Sequence, residues 1–371
     1  MVELAKTNDH YVTKFKKNNQ IFDKIYYLCE GGFGFIYKAY HKPSDQEVVV
    51  KILKLENIDE KLSRKIFINE IKTLESLSHP NIIPIVYSNK RLLHFALPYA
   101  FGGDLTRFVQ RMTWSKPRVE LRLCHIFKQL VDAVCYLHEN GVIHNDIKTD
   151  NVLLMTTRTL PDVNLTDFDS SFRVDDPDER SFYPGTWEHG PPEQLRNLEL
   201  LQSLINDKKV DDDNVGGGSG DSGGDGDEDD GGGDSDDDGD DDGDGGGDGD
   251  DDGGGGGGGD GDGDDCGNDD GVDVYVDNNF KPCTTAVDIY NIGLCLYESM
   301  ERDIWNNLEE TKSKFLERMK SNRFVENLIS GLRYPEIFSD NMYGFLKKCL
   351  KFDKDDRATA EELRCHQWFK N

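Results

Sequence analysis

No stretch of this 371-residue chain approaches the ~18 consecutive apolar residues of a membrane-spanning helix. The opening residues, MVELAKTNDHYVTKFKKN, lack the apolar block of a secretory signal. A membrane or secreted protein is therefore not expected, and an intracellular one, in cytoplasm or nucleus, is. CxxC spacing is missing too. The eight cysteines (Cys29, Cys124, Cys135, Cys266, Cys283, Cys295, Cys349 and Cys365) are scattered, so neither a zinc ribbon nor a redox dithiol is expected. Several sit in apolar helical patterns, where a buried free thiol is the plain reading. Basic charge is scarce, with 43 Lys and Arg against 72 Asp and Glu and a net charge of −29.

That imbalance is local. Between Asp211 and Gly271 lie 61 residues with 27 acidic side chains, 27 glycines, no lysine or arginine and no aromatic. Outside the tract 45 acidic residues face 43 basic ones, a net of −2. These 310 residues are about 43 % apolar, enough to bury a core for one large or two smaller lobes. With no basic excess they offer nothing to meet nucleic-acid phosphates. Within the tract, Asp238, Asp240, Asp242 and Gly243 match the start of an EF-hand loop. Gly249, however, stands where the closing carboxylate belongs. A disordered coil is the expectation, its ends roughly 40–45 Å apart if unconstrained. Such a coil closes as a surface excursion for a few kcal/mol of loop entropy.

From Ile21 to Leu97 period-2 apolar stretches flank a glycine turn and continue into EVVVKIL at Glu47–Leu53, which predicts strands. One helix interrupts them at Glu60–Leu77, with Leu62, Ile66, Ile71 and Leu74 at helical spacing; Pro80 lies beyond its end. After Gly102–Gly103 the pattern turns helical. Helices are expected over Leu121–His138, Ala286–Met300, Ser313–Leu332, Asn341–Leu350 and Thr359–Trp368, with short strands around His144–Leu154 and Val163–Phe168. A small β-rich part precedes a larger helical part.

Taken singly, the chemical motifs are modest. Gly31, Gly32 and Gly34 form a turn whose amides could approach phosphate oxygens, though such a turn is more often an ordinary hairpin. Lys51 ends a valine-rich strand and would point inward, where an ammonium needs a partner; Glu70 on the next helix is one. His144-Asn145-Asp146-Ile147-Lys148-Thr149-Asp150-Asn151 gathers a carboxylate, an ammonium and an amide in one loop, and Asp167-Phe168-Asp169 follows an apolar strand. Acidic and amide oxygens from two neighbouring loops are what a hard Mg2+ ion needs, with phosphate oxygens completing its shell.

In this order, glycine turn, strand lysine, helix glutamate, H-x-D-x-x-x-x-N and D-F-x, the chain resembles the eukaryotic-type serine/threonine protein kinases. The resemblance covers Ile21–Glu193 and Lys281–Phe369. It implies an α+β, two-lobed fold, with a small β-rich N-lobe carrying one helix and a larger, mainly helical C-lobe. The domains would be a tail at 1–20, an N-lobe at 21–100 and a C-lobe at 101–371, interrupted by the 211–271 insert. It also implies roles. Cys29, Gly31, Gly32 and Gly34 would cover the phosphates of ATP, and Lys51, paired with Glu70, would hold them. Ile36, Val49 and Leu153 would sandwich the adenine, the Pro98–Ala100 backbone would bind its edge, Leu97 would stand at the gatekeeper position and Asp104 near the ribose. Asp146 would accept the substrate proton, Lys148 would steady the transferred group, and Asn151 and Asp167 would bind Mg2+. Glu193 would pair with Arg357, and Asp288 would hold the catalytic loop. Lys148 and Thr186 resemble the serine/threonine branch, so proteins with Ser/Thr acceptors are the expected substrates. Asp150, Asp104 and Glu298 match positions that meet arginines in members with basic substrates. The divergence and the insert resemble kinases of large DNA viruses, which would place the protein in a host cell, acting as a monomer.

Three positions depart from the family pattern. Cys29 replaces the first loop glycine, for which a modest loss of ATP affinity is expected. Asn145 replaces the arginine of H-R-D, so the loop lacks the cation that clamps a phosphorylated activation segment. Asp169 replaces the glycine of D-F-G, and its Cβ should oppose flipping of Phe168. A second reading follows from these departures: a catalytically weak, kinase-shaped scaffold whose acidic tract binds a basic partner. For the tract itself, a tolerated surface expansion and an electrostatic funnel for basic substrates both stand.

Overall fold

Alternation of side chains turns residues 22–98 into a sheet. The computed structural model describes residues 12, 15, 20–54, 60–112, 118–175, 190–197, 283–301 and 323–370. The 211–271 tract, Gly185–Thr186 and residues 313–322 lie outside them. Strands β1 (Phe22–Glu30), β2 (Gly34–His41), β3 (Gln46–Leu53), β4 (Tyr87–Asn89) and β5 (His94–Pro98) form one antiparallel sheet in the order β1-β2-β3-β5-β4. Opposed residues share a face of such a ladder. Ile36 opposes Lys51 and Val49 opposes Leu97, so these four share one face. Tyr37, Val50, Ala96 and Tyr87 are paired in turn on the other.

Helix α1 (Glu60–Ser76) crosses the first face, its Phe67 ring 5.3 Å from Phe95. Its buried stripe runs Ser63, Ile66, Phe67, Glu70, Ile71, Leu74. Leu62, expected in that stripe, is 38 % exposed. The stripe passes through small Ser63 instead, about 100° around the helix from Leu62.

The opposite face holds the main surprise of the N-terminal lobe. Residues 1–20 read as a tail, yet Val12 and Phe15 are buried. The Phe15 ring sits 5.7 Å from Phe22, 6.4 Å from Tyr37 and 5.0 Å from His94. Two apolar residues from the segment thus cover part of the sheet's back, where water would otherwise meet aromatic surface.

The second lobe begins with β6 (Gly103–Asp104) and α2 (Leu105–Arg111), followed by the long α3 (Arg118–Glu139). Leu123, Ile126, Phe127, Leu130, Val134 and Leu137 of α3 are buried at helical spacing. Short strands follow: β7 (Val142–Ile143), β8 (Val152–Leu154), β9 (Val163–Leu165) and β10 (Phe172–Arg173), with β6-β8-β9 and β7-β10 paired. Helix α4 (Ala286–Met300) is apolar nearly all round, as befits a helix through the middle of a core. Gly293 belongs there because a Cβ would lie 2.6 Å from that of Cys349. Helices α5 (Phe324–Ser330), α6 (Asp340–Cys349) and α7 (Ala360–Arg364) complete the lobe. The helix expected over Thr359–Trp368 opens with a full Thr359–Glu362 capping box but stops at Arg364, and a 3-10 turn at Gln367–Lys370 follows. Among the described residues no helix is long and apolar enough to cross a membrane.

Two contacts bind the lobes and the chain's far ends. Ile83 donates its N–H to Leu165 O at 3.0 Å, joining the segment after α1 to β9. Arg357 holds Glu193 with two hydrogen bonds, at 2.6 and 2.7 Å, while donating also to Ala286 O at 3.0 Å. Beside them Gln194 Nε2 lies 3.6 Å from Cys283 Sγ, so residues on either side of the acidic tract meet at one place.

Candidate functional site

The glycine turn is built by the β1–β2 hairpin, where Gly31 N–H donates to Gly34 O at 2.8 Å. Gly34 is required by its neighbours, since a Cβ would stand 2.9 Å from Ile52 O and 3.1 Å from Lys51 Cγ. Gly32 faces open space. Cys29 opposes Ile36 in the hairpin and is exposed. Ile36, Val49 and Leu153 are half-buried, and Leu97 is 9 % exposed. The chain leaves β5 through Pro98 and Ala100, with Tyr99 N–H bonded to Glu47 O and Ala100 O accepting from Gly103 N–H. Asp104 is engaged at the start of α2. Its carboxylate caps α2, accepting from Arg107 N–H at 2.7 Å, and lies 3.4 Å from Arg107 Nε.

Lys51 points from β3 to Glu70 of α1, its Nζ 2.8 and 3.1 Å from the two carboxylate oxygens. Asp167 accepts from the same ammonium at 3.0 Å, and Asp169 lies 3.6 Å away. Burial opposes the Lys51 charge, yet Asp167, Glu70 and Asp169 together hold its pKa well above the ordinary lysine value. With so many carboxylates around one cation, the next proton has an obvious destination. Burial pushes Glu70 up to about 8, Lys51 pulling it down and Asp167 and Asp169 adding to the rise. Burial and the neighbouring Asp167 charge push Asp169 up to about 6.

The second loop faces the first. Asp146 accepts from Lys148 Nζ at 2.8 Å, and Asn151 Nδ2 donates to Asp146 O at 2.8 Å and to its Oδ2 at 3.2 Å. With that amide nitrogen committed, the oxygen is what Asn151 presents elsewhere. Thr166 N–H donates to Asn151 O, which keeps the Asn151 and Asp167 loops side by side. Asp167 O and Asn151 O atoms are a hard donor set, and they fit a divalent cation. Asp167 also feels both Lys51 and Lys148, which lowers its pKa against the effect of burial.

The loop backbone is held from below. Buried Asp288 accepts His144 N–H at 3.0 Å and Asn145 N–H at 2.8 Å, and His138 Nε2 lies 2.9 Å from the same carboxylate. His144 donates from Nε2 to Thr166 O and accepts Asp146 N–H at Nδ1, while its ring meets the buried Phe168 edge-on at 4.6 Å. Asn145 and Asp167 both adopt positive φ, +68° and +65°, a region that asparagine and aspartate tolerate better than bulkier residues.

Two features escaped sequence reasoning. Asn145 donates its side-chain amide to Ser170 O at 3.3 Å and accepts from Gln194 Nε2, bridging two segments 24 residues apart in the chain with neutral bonds. Asp169, read from sequence as a backbone constraint, turns its carboxylate toward Lys51. Of the acidic positions matched to basic-substrate members, Asp150 is exposed and accepts from Thr106 Oγ1, whereas Glu298 is buried and accepts from Thr149 Oγ1.

The family model described as protein kinase domain matches residues 22–211 and 276–369. Among curated proteins, the chain is 34 % identical over 154 residues to the Fatty acyl-CoA synthetase and RNA processing-associated kinase 1 of Saccharomyces cerevisiae, covering 38 % of this chain and 17 % of that protein. It is 34 % identical over 129 residues to the CBL-interacting protein kinase 25 of Oryza sativa, covering 34 % and 25 %. It is 32 % identical over 183 residues to the Serine/threonine-protein kinase pkn3 of Myxococcus xanthus, covering 47 % and 33 %. The match thus spans a third or less of each relative's own length.

Proposed function

The chain belongs to the protein kinase domain family, and on that footing we propose that it transfers the γ-phosphoryl group of ATP to serine and threonine hydroxyls of proteins. The observation that carries the reading is the position of Asp167, which accepts from Lys51 Nζ at 3.0 Å while the neighbouring Thr166 N–H donates to Asn151 O at 3.0 Å, so that the strand lysine and both loops come together. Asp146 orients the acceptor hydroxyl and takes its proton as the new O–P bond forms and the bond to the β-phosphate oxygen breaks. Lys148, 2.8 Å from Asp146, offsets negative charge on the transferred group. Lys51, turning from its carboxylates, meets phosphate oxygens. A divalent cation, for which Mg2+ suits the all-oxygen donors Asn151 and Asp167, supplies charge neutralisation when bound. Positioning and electrostatics provide most of the rate in such a transfer.

Radiolabel transfer from Mg·ATP to a mixed basic protein substrate tests this. Wild type should label serine and threonine, and Asp146→Ala and Asp167→Ala should not. Label on tyrosine alone would refute the serine/threonine assignment. Nucleotide binding without transfer would favour the scaffold reading, which Cys29, Asn145 and Asp169 motivate.

The same reading extends to regulation. Asn145 joins Ser170 and Gln194 by neutral hydrogen bonds where a cation is usual. Activity should therefore not require phosphorylation of the activation segment. Replacing Ser170, Ser171, Ser181 and Thr186 singly is the test; an activity lost on replacement and restored by an acidic residue would sink it. Ser181 and Thr186 lie outside the described residues.

A further inference from the structure

Lys51 Nζ, on a side chain 11 % exposed, lies 2.8 Å from Glu70, 3.0 Å from Asp167 and 3.6 Å from Asp169. The family pattern accounts for the first two carboxylates. The third occupies a position where glycine is usual, and its side chain is only 13 % exposed. Its Oδ1 accepts from Ser170 Oγ at 3.0 Å, which orients the carboxylate with Oδ2 toward the lysine. We propose that Asp169 is a positioning residue that makes phosphate binding conditional on a divalent cation. It helps retain Lys51 among carboxylates, and it sets a fixed negative charge beside the place of the nucleotide phosphates. The proposal rests on the reading of Lys51, Asn151 and Asp167 as the nucleotide site.

Charge counting gives the reason. Asp146 and Lys148 offset one another at 2.8 Å. Lys51 then faces Glu70, Asp167 and Asp169, where a glycine at position 169 would leave one negative charge fewer. Two like charges ~5 Å apart at an effective dielectric of ~20 repel strongly enough to change affinity by about two powers of ten. A divalent cation beside Asp167 would offset that excess negative charge, and Asp169 would then help to hold it. Metal-free ATP should be discriminated against, and metal-bound ATP should not.

Calorimetric titration of ATP into the full chain tests this, with wild type, Asp169→Asn and Asp169→Gly each measured in EDTA and in saturating Mg2+. Asparagine keeps the Cβ and an acceptor for Ser170 while removing the charge, so it separates electrostatics from backbone freedom. In EDTA both variants should bind ATP at least roughly tenfold more tightly than wild type. In Mg2+ the advantage should vanish or reverse. Equal metal-free affinity of wild type and Asp169→Asn overturns the proposal, as does a gain confined to Asp169→Gly. Thermal melting verifies folding, and Asp169→Asn alone decides if the glycine variant unfolds. The wild-type titration in Mg2+ tells the two failures apart: no binding there removes the nucleotide-site reading, and this proposal with it.

Discussion

Replacing Glu193 by alanine should destabilise the folded chain by about 3–5 kcal/mol, because it strands a buried cation. The Arg357 side chain is 0 % exposed and grips Glu193 through Nη1 at 2.6 Å and Nη2 at 2.7 Å. Its other N–H groups reach Lys351 O at 2.9 Å, Ala286 O at 3.0 Å and Phe352 O at 3.3 Å, and the guanidinium lies 4.8 Å from the Tyr290 ring centre. All five donors of the fork are therefore used. Exchanging both members of a buried pair for apolar residues is often neutral. Here it should not be, since three backbone carbonyls would lose their donor at about 1 kcal/mol or more each. Glu193→Met with Arg357→Met should thus remain about 3 kcal/mol below wild type. Against a total stability of about 5–15 kcal/mol these are large fractions. Urea unfolding of Glu193→Met, Arg357→Met and the double variant, followed by tryptophan fluorescence, closes the cycle, and the double should lose less than the two single losses added together. A loss below about 1 kcal/mol in Glu193→Ala, or a double variant as stable as wild type, would refute the reasoning.

Gly34→Ala should weaken ATP binding roughly tenfold because the strand must shift from Ile52, whereas Gly32→Ala, facing open space, should change stability by less than about 0.5 kcal/mol; titration and melting distinguish the two. Phe15→Ala should cost about 3–5 kcal/mol, read by urea unfolding, because its ring packs on Phe22, Tyr37 and His94. Glu70, raised to about 8 by burial, holds a proton in the fold that the unfolded chain releases near its ordinary value. Its contribution is complete at low pH and is lost as pH rises through about 8. The Glu70 share of the metal-free melting temperature should therefore fall as pH rises from about 4.5 to about 8, and that share should be absent in Glu70→Gln.

The Lys51–Glu70 pair was readable because each residue sits in a strongly periodic element, strand and helix, whose inward faces are fixed by neighbouring valines and isoleucines. Glu193 with Arg357 and Asp288 with the catalytic loop were readable only through the family resemblance, since nothing local links residues 164 or 144 positions apart. Val12 and Phe15 were not legible. Two apolar side chains in a polar segment make no periodic signal, and only the aromatic back of the sheet explains their burial. The Asn145–Gln194 bond was likewise hidden, because it depends on where two loops meet and not on the pattern of either. Asp169 was half legible: the sequence showed the Cβ that restricts the backbone, and only the fold shows that its charge points to Lys51.

The meeting of Gln194 with Cys283, and of Glu193 with Ala286 across Arg357, places the described residues on either side of the acidic tract at one doorway of the folded domain. Whatever happens to the number of residues beyond that doorway reaches the fold only as a logarithm, with each doubling adding about 0.6 kcal/mol of closure entropy. Selection for a stable domain is nearly blind to such a quantity. Slippage during copying of a glycine- and aspartate-rich stretch could lengthen or shorten it over many generations without disturbing a single core side chain. Chains differing widely in length at this point are then expected to share one melting temperature within a degree or two.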